Sequence, residues 1–259
     1  MWALANQWDG LRRFSLWNRL AWTDLQRLYR RSLFGLLWLA LSFGMFVAAK
    51  IFVFGSIATV DPAEFSIWLT IGFWLWMYIS GATIEACNSF VAARSWILGT
   101  SLPLSVHVYE MVVKSVIRFA FVLPVIGLIL FVLRWTPSLD WLWFVPGFFV
   151  FILNTVWAGF LLGTLSARYR DLIHFVTALM RVFFFLTPIL YMPQQLGENA
   201  KYLVYNPFTH YLAIIRDPIM GYGVPVLSWI VVGAITLGGS LLALLVYQKA
   251  GRSVAFHIS

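Results

Sequence analysis

The chain has 259 residues, of which 61% are hydrophobic and only 11% are charged, and its mean hydropathy is +0.84. This composition excludes an ordinary soluble domain and predicts one integral membrane domain that covers residues 1–259. The net charge of +8 comes mostly from basic residues that flank the apolar segments, so it indicates membrane topology and does not indicate nucleic-acid binding.

Residues 1–32 precede the first long apolar segment, and within residues 11–29 apolar side chains recur at three- and four-residue steps. These side chains are Leu11, Phe14, Trp17, Ala21, Leu25 and Leu28. The spacing predicts an amphipathic helix in the cytoplasmic headgroup layer. The alternative is an ordinary basic leader to the first span. We expect no cleavable signal peptide, because the segment has no compact apolar core.

Six apolar segments are long enough to cross a hydrocarbon layer of roughly 30 Å, which takes about 20 helical residues. They are residues 33–54, 65–86, 111–133, 141–165, 172–192 and 226–247. Lysine and arginine accumulate on the side that holds both chain termini, so both termini are predicted to be cytoplasmic. The predicted fold is an all-α membrane domain with six transmembrane helices.

The loop between the second and third spans, residues 92–108, is less apolar than a span and contains Gly99 and Pro103. A short cytoplasmic helix followed by a turn fits this pattern. A plain connecting hairpin fits it equally well.

Residues 193–221, between the fifth and sixth spans, are apolar but broken by Pro193, the Asn206-Pro207 pair and Pro218. Backbone groups freed by prolines cannot face lipid, because each unpaired group there costs several kcal/mol. We therefore predict a re-entrant periplasmic hairpin that lies within protein or lines a wet cavity.

Arg181 lies ten residues beyond Asp171, which is roughly 15 Å into the fifth span at about 1.5 Å per residue. A charge at that depth faces the bundle interior or water. The functional interpretation is an anion contact in a translocation path. The alternative is an ion pair with Glu85 or Glu110.

The sequence contains no G-x-x-x-x-G-K-[ST], H-E-x-x-H or G-x-S-x-G pattern. Cys87 is the single cysteine, so neither an internal disulfide nor a thiolate metal cluster is expected. We predict a chain that is not an enzyme, binds no metal or cofactor, and depends on another protein for energy.

Several strings occur along the chain in an order that is itself informative. They are residues 29–38 (YRRSLFGLLW), Leu102-Pro103, residues 163–172 (GTLSARYRDL), residues 187–191 (TPILY), and Asn206-Pro207 with Arg216 downstream. Together they resemble the membrane (permease) subunit of type-2 ABC exporters that move O-antigen, capsule or teichoic-acid polysaccharides. One departure is that the first span lacks the proline expected several residues after Trp38, so the bend of that helix is not implied.

This resemblance implies a homodimer in the inner membrane, docked on two copies of a cytoplasmic ABC ATPase that holds the ATP and Mg. In such exporters the loop between spans two and three is the coupling helix. The ATPase-coupling residues implied are Trp96, Leu98, Leu102, Pro103, Arg168, Arg170 and Asp171. For Asp171 the alternative is a helix N-cap.

The substrate implied is a polyprenyl-diphosphate-linked glycan, with O-antigen for lipopolysaccharide biosynthesis preferred. Aromatic faces stack on sugar rings, so an aromatic-lined channel would let a polymer slide. The candidate channel residues are Trp74, Trp76, Tyr78, Arg181, Tyr191, Tyr202, Tyr205, Phe208 and Tyr211. The candidate contacts for the lipid diphosphate are Arg27, Arg30, Arg31 and Arg94.

Two other functions stay open. One is an ABC permease for a drug or a small lipid, which would need no wide channel. The other is a membrane enzyme acting on polyprenyl-linked sugars, which would need carboxylates such as Glu85, Glu110 or Asp171 to act together.

Overall fold

The computed structural model describes residues 2–30, 32–55 and 61–258, and every regular element in these ranges is helical. The helices are α1 (Trp2–Arg12), α2 (Phe14–Tyr29), α3 (Leu37–Gly55), α4 (Pro62–Asn88), α5 (Arg94–Gly99), α6 (Ser105–Val132), α7 (Phe144–Arg168), α8 (Leu172–Leu186), α9 (Pro207–Met220), α10 (Val226–Ala250) and α11 (Val254–Ile258). Short 3₁₀ segments span Leu139–Trp143, Pro193–Tyr205 and Gly251–Ser253. The prediction of an all-α fold is confirmed.

Four helical segments in the described ranges are long and apolar enough to cross a membrane: Pro62–Asn88, Ser105–Val132, Leu139–Arg168 and Val226–Ile258. The chain is therefore a multi-pass membrane protein. Two shorter apolar helices, Leu37–Val53 and Leu172–Leu186, lie where the first and fifth spans are predicted. The count of six spans stays a prediction.

The fifth predicted span is shorter as a helix than the sequence suggested. It was expected to continue to Met192, but α8 ends at Leu186, and Thr187 is extended (φ −91°, ψ 138°). Pro188 explains the end, because the residue before a proline is disfavoured in the α conformation. Helix α8 therefore ends six residues before the predicted bound of the span.

Helix α4 lies at the centre of the bundle and packs against α3, α6, α7, α8 and α9. Its start is well defined, because the Asp61 carboxylate accepts a hydrogen bond from the Glu64 N–H at 2.9 Å and Pro62 occupies the first turn. Nearly every side chain from Phe65 to Tyr78 is buried. Opposite faces of α4 therefore contact different parts of the chain.

The N-terminal region forms two helices, whereas one amphipathic helix over residues 11–29 was predicted. The break falls at Arg13 (φ −88°, ψ 41°). The apolar stripe of α2 buries Trp17, Ala21 and Leu25, and α2 packs against α6. Part of the predicted membrane-facing stripe is thus covered by protein, because α6 offers a closer apolar partner.

Helix α1 is tied to the C-terminal half of the chain. The Asn6 Oδ1 atom accepts hydrogen bonds from the Ser105 N–H (3.1 Å) and the Tyr247 hydroxyl (2.7 Å), and the Ala3 N–H donates to Gln248 Oε1 (2.7 Å). One amide side chain therefore connects the first helix to both α6 and α10.

Candidate functional site

An open groove between α3, α4 and α8 concentrates aromatic rings and positive charge. We call it the aromatic face; its volume is about 410 Å³. Its residues include Phe46, Phe73, Trp76, Arg181, Phe184 and Phe185. Phe46 stacks on Phe73 with ring centroids 4.6 Å apart, and Trp76 lies 6.0 Å from Phe184. Phe73 and Trp76 are buried, whereas Phe46, Arg181 and Phe185 are exposed, so the groove joins core rings to exposed ones.

Two cations border the aromatic face. The Lys50 ammonium lies 4.5 Å from the Phe46 ring centroid and 5.2 Å from that of Phe184. Arg181 is exposed, and within the described residues it makes no hydrogen bond or ion pair. The predicted alternative for Arg181, a pair with Glu85 or Glu110, is not formed, since these carboxylates bond Arg118 and Lys114 respectively.

Trp74 and Tyr78 lie on a different face of α4 from Trp76. Trp74 stacks on Phe119 at 4.0 Å between centroids, and its Nε1–H donates to the Phe119 carbonyl at 3.2 Å. The Tyr78 hydroxyl lies 3.0 Å from Thr155 Oγ1. Both side chains are buried against α6 and α7. Their assignment to the channel stays a prediction.

Asn154 on α7 is the centre of a polar network in this interior. Its Oδ1 atom accepts from the Tyr211 hydroxyl (2.5 Å) and the Trp157 indole N–H (2.7 Å), and its Nδ2 donates to Thr236 Oγ1 (2.7 Å). The network joins α7, α9 and α10. It borders a mostly apolar cavity of about 360 Å³, whose lining includes Tyr78, Phe208 and Tyr211.

The segment predicted as a re-entrant hairpin has an irregular first half and a regular second half. The 3₁₀ segment is interrupted at Gly197, which has φ +55°. Helix α9 then begins at the Asn206-Pro207 pair, where Asn206 Oδ1 accepts from the Phe208 N–H at 3.0 Å. Most of α9 is buried against α4, α7 and α10, so this half is an integral part of the bundle.

Arg216 on α9 is only 2% exposed. Its guanidinium lies 3.3 Å from the Trp68 ring centroid, donates to the Pro188 carbonyl at 2.6 Å, and approaches Asp217 Oδ1 at 3.7 Å. A stacked guanidinium of this kind holds several elements together. It connects α9 to α4 and to the turn after α8.

The remaining aromatic candidates lie at the end of the bundle near α9. The Tyr191 hydroxyl donates to the Leu186 carbonyl at 2.9 Å. Tyr202 and Tyr205 are 61% and 81% exposed. Phe208 contacts Trp76 at 5.4 Å between centroids, which links this group to the aromatic face.

Two of the candidate diphosphate contacts, Arg27 and Arg30, line one open groove of about 660 Å³ where α2 leads into α3. Arg31 lies outside the described residues. Arg94 begins α5 and is exposed, away from the lining of that groove. The structure thus brings together two of the four predicted arginines.

The expected coupling segment contains a short helix, α5, which is one of the two alternatives that the sequence left open. Trp96 and Leu98 are exposed on it, and α11 packs against it. Leu102 and Pro103 follow it and are partly buried, whereas Arg168, Arg170 and Asp171 are exposed between α7 and α8. Asp171 occupies the N-cap position of α8, but its side chain forms no capping hydrogen bond.

A polar cavity of about 400 Å³ lies beside α5, between α2, α4 and α6. The Lys114 ammonium lies 2.9 Å from Glu110 Oε1 and 3.5 Å from Asp24 Oδ2. Burial raises the pKa of the Asp24 carboxyl, with a further contribution from Glu110, and Lys114 opposes the shift. His107 lies 3.5 Å from Glu110.

Sequence reasoning missed three groups that the fold assembles: Lys50, Asn154, and the cluster around His107. Lys50 could have been found from its position inside an apolar stretch. Asn154 and His107 gave no such signal, because single polar residues in apolar helices do not reveal their partners.

Comparison with known proteins gives three relatives with one name, O-antigen export system permease protein RfbA. One from Klebsiella pneumoniae is 29% identical over 199 residues, which cover 76% of this chain and 77% of the relative. A second from Klebsiella pneumoniae has the same identity and coverage. One from Myxococcus xanthus is 24% identical over 225 residues, 83% of this chain and 85% of the relative. No family model matches the chain. The relatives confirm the resemblance stated from the sequence.

Proposed function

We propose that this chain, a type-2 ABC exporter permease subunit by its relatives, works as a homodimer driven by a separate ATPase and exports a lipid-linked polysaccharide across the cytoplasmic membrane. O-antigen is the preferred polymer. The observation that carries the proposal is the aromatic face with Arg181 open on the surface of the chain.

An arginine within an apolar helix is costly when it faces hydrocarbon. Arg181 lies ten residues beyond Asp171, which is roughly 15 Å along α8, and its chain supplies it with no partner among the described residues. A second copy that presents the same surface across a two-fold axis would close a hydrated path around it. The homodimer therefore accounts for a charge that one chain leaves uncovered.

The chemistry of the face suits a sugar polymer. Phe46, Phe184 and Phe185 offer apolar rings that are at least partly exposed, and Arg181 offers hydrogen-bond donors. Stacking on rings is tolerant of position, so successive sugars would move along the face without a single tight site. An enzymatic function is less well supported, because Glu85 and Glu110 are already bonded to basic side chains.

The finer elements of the proposal follow from this assembly. Helices α3 and α8 would complete six spans with both termini cytoplasmic, and residues 193–221 would form the re-entrant outer gate. The groove at Arg27 and Arg30 would meet the lipid diphosphate. Helix α5, with the exposed residues at 168–171, would dock on the ATPase.

Cysteine cross-linking in membranes tests the homodimer. In a Cys87→Ser background, F185C places a thiol on the aromatic face, where Phe185 is 68% exposed, and L237C places one on α10, where Leu237 is 75% exposed. We expect F185C to form a disulfide-linked dimer and L237C to stay monomeric. Equal cross-linking of both variants, or of neither, would contradict the proposed interface.

Reconstitution tests the transport function. We expect the purified chain to form a complex with a cognate ABC ATPase, and the complex in vesicles to move a polyprenyl-diphosphate-linked glycan when ATP is added. If this chain and the ATPase form no complex either with or without the glycan, the proposal is overturned. Transport of small lipids without polymer would favour the alternative permease function.

A further inference from the structure

The cavity beside Asn154 is separate from the proposed export path. It is lined by residues of α4, α7, α9 and α10, and no described residue lines both this cavity and the aromatic face. Its volume of about 360 Å³ falls within the range of small-molecule pockets, roughly 300–1,000 Å³. It is therefore large enough to hold part of a ligand.

The walls of this cavity lie in the middle of the spans. On α7 the lining extends from Phe151 to Leu162, so it begins seven residues after the start of the helix and ends six residues before its last residue. Ile235 lies nine residues into α10. At about 1.5 Å per residue these positions are roughly 9 to 14 Å from the helix ends. In a hydrocarbon layer of roughly 30 Å, the cavity therefore lies at the depth of the lipid chains.

The cavity is a recess in the surface of the chain. Several of its lining residues are only partly buried, and they lie on all four helices: Ile79, Thr83, Trp157, Leu162, Pro207, Phe208 and Ile235. The others, which include Ala82 and Ala158, are buried. A molecule at this depth can therefore enter the cavity from outside the chain.

The polar side chains of the wall have used all their donors. They are Tyr78, Thr83, Asn154, Thr155, Trp157 and Tyr211. Thr155 donates to the Phe151 carbonyl at 2.9 Å and is itself 3.0 Å from the Tyr78 hydroxyl, which is therefore the donor of that pair. Thr83 donates to the Ile79 carbonyl at 2.7 Å. Tyr211 and Trp157 both donate to Asn154 Oδ1, and Asn154 Nδ2 donates to the Val150 carbonyl and to Thr236.

This hydrogen bonding selects an apolar ligand. A buried water molecule needs about two to four polar partners, and a sugar brings several hydroxyls that each need a partner when they leave water. The wall side chains have no free donor to offer either of them. A hydrocarbon chain needs none, and apolar cavities of this kind take up apolar molecules in place of water.

We infer that this cavity binds an acyl chain of a membrane phospholipid. The chain is a multi-pass membrane protein, so phospholipid acyl chains surround it at the depth of the cavity and are the most concentrated apolar molecules there. Binding by mass action then favours them over a scarce apolar ligand. A bound acyl chain would contact α4, α7, α9 and α10 together and fill space that their side chains leave open, which stabilises the packing of these helices.

Photolabelling of the full-length chain tests the inference. The probe is phosphatidylcholine with a diazirine in the middle of one acyl chain. The chain is reconstituted in nanodiscs that contain the probe, transferred to detergent to remove lipid from its surface, and then irradiated. We expect mass spectrometry to find the label on wall residues of α4 and α7. Leu237 on α10, which is 75% exposed, should carry little label, and equal labelling of Leu237 and the wall would overturn the inference.

Two variants of the wall fill the cavity from different helices. A158L and A82L add side-chain carbons to it from α7 and α4, where Ala158 is 9% and Ala82 is 5% exposed. A234L adds the same group on the exposed side of α10 and is the control. Each CH₂ group of the lipid that is kept out of the cavity weakens its binding several-fold, so we expect A158L and A82L to lower labelling of the wall roughly fivefold or more, and A234L to stay within about twofold.

The two variants lie on separate helices, so one that fails to fold leaves the other as a test. Unchanged wall labelling in a folded A158L or A82L chain, or an equal loss in A234L, would contradict binding inside the cavity.

Competing lipids identify the source of the hydrocarbon chain. Excess unlabelled phosphatidylcholine should lower the labelling of the wall, and an equal excess of polyprenyl phosphate should lower it no further. Stronger displacement by polyprenyl phosphate would contradict the inference and assign the cavity to that lipid. The assay contains no ATPase and no glycan, so its result does not depend on the proposed function, and a failure of reconstituted transport would leave it unchanged.

Discussion

Two regions of the chain each contain an arginine in apolar surroundings, and the two arginines differ in their contacts. One region is the interior between α4, α6, α7 and α9, and the other is the aromatic face between α3, α4 and α8. Arg216 in the interior is stacked on Trp68 and bonded to the Pro188 carbonyl. Arg181 on the aromatic face is exposed. The chain itself supplies ring and carbonyl contacts to Arg216, whereas the contacts that Arg181 needs would have to come from another molecule.

Trp74→Ala should have the largest effect on stability. The change removes the indole from its stack on Phe119 and leaves a cavity between α4 and α6, which costs about 4 kcal/mol for a buried tryptophan. Thermal unfolding of the purified chain in detergent measures it. W74F, which keeps an aromatic ring, should recover about half of the loss; an unfolding temperature unchanged in W74A would contradict a closed interior.

Arg216→Ala should follow, with a loss of about 3 kcal/mol, because it leaves the Pro188 carbonyl without its donor and Asp217 without its partner. The same unfolding assay applies. R216K keeps the charge but not the planar stack on Trp68, so it should fall between R216A and the unsubstituted chain. An R216K as stable as the unsubstituted chain would show that the stacking adds nothing.

Asn154→Ala should cost about 2 kcal/mol. The Tyr211 hydroxyl and the Trp157 indole both lose their acceptor, and buried donors without partners are unfavourable. Thr236→Val, which removes only one partner of Asn154, is the matched control and should cost less. Equal losses would mean that the network is not centred on Asn154.

Arg181→Ala should change the unfolding free energy least, by about 0.5 kcal/mol or less, because the side chain is exposed and makes no hydrogen bond in the described structure. It should nevertheless lower polymer export roughly tenfold, which corresponds to about 1.4 kcal/mol. Export by the reconstituted complex and complex formation are measured together. R181K should retain part of the activity; full export by R181A would remove the main support for the path.

Much of the fold follows from hydropathy alone. The apolar segments at residues 65–86, 111–133 and 226–247 contain the centres of α4, α6 and α10, because about 20 apolar residues in a row have few stable alternatives to a helix. The residues at which the helices begin and end were less predictable. The break at Arg13 and the end of α8 before Pro188 depend on local backbone preferences and on the packing of α2 against α6.

The candidate site was predictable only in part. Sequence position singled out Arg181, and the structure places Trp76 in the same groove. The sequence could not show that Trp76 lies in this groove and Trp74 does not. Both residues are on α4, and only the packing of α6 and α8 around α4 decides which neighbours each one contacts.

The sequence by itself determined that the chain is a helical, multi-pass membrane protein, because its composition leaves no other environment in which so much apolar surface is stable. It also carried the resemblance to ABC export permeases. The tertiary structure decided which charges the chain satisfies internally and which it leaves open. Arg216 and Arg181 are indistinguishable as residues; the difference arises because hydrogen bonds and ring contacts form between helices far apart in sequence.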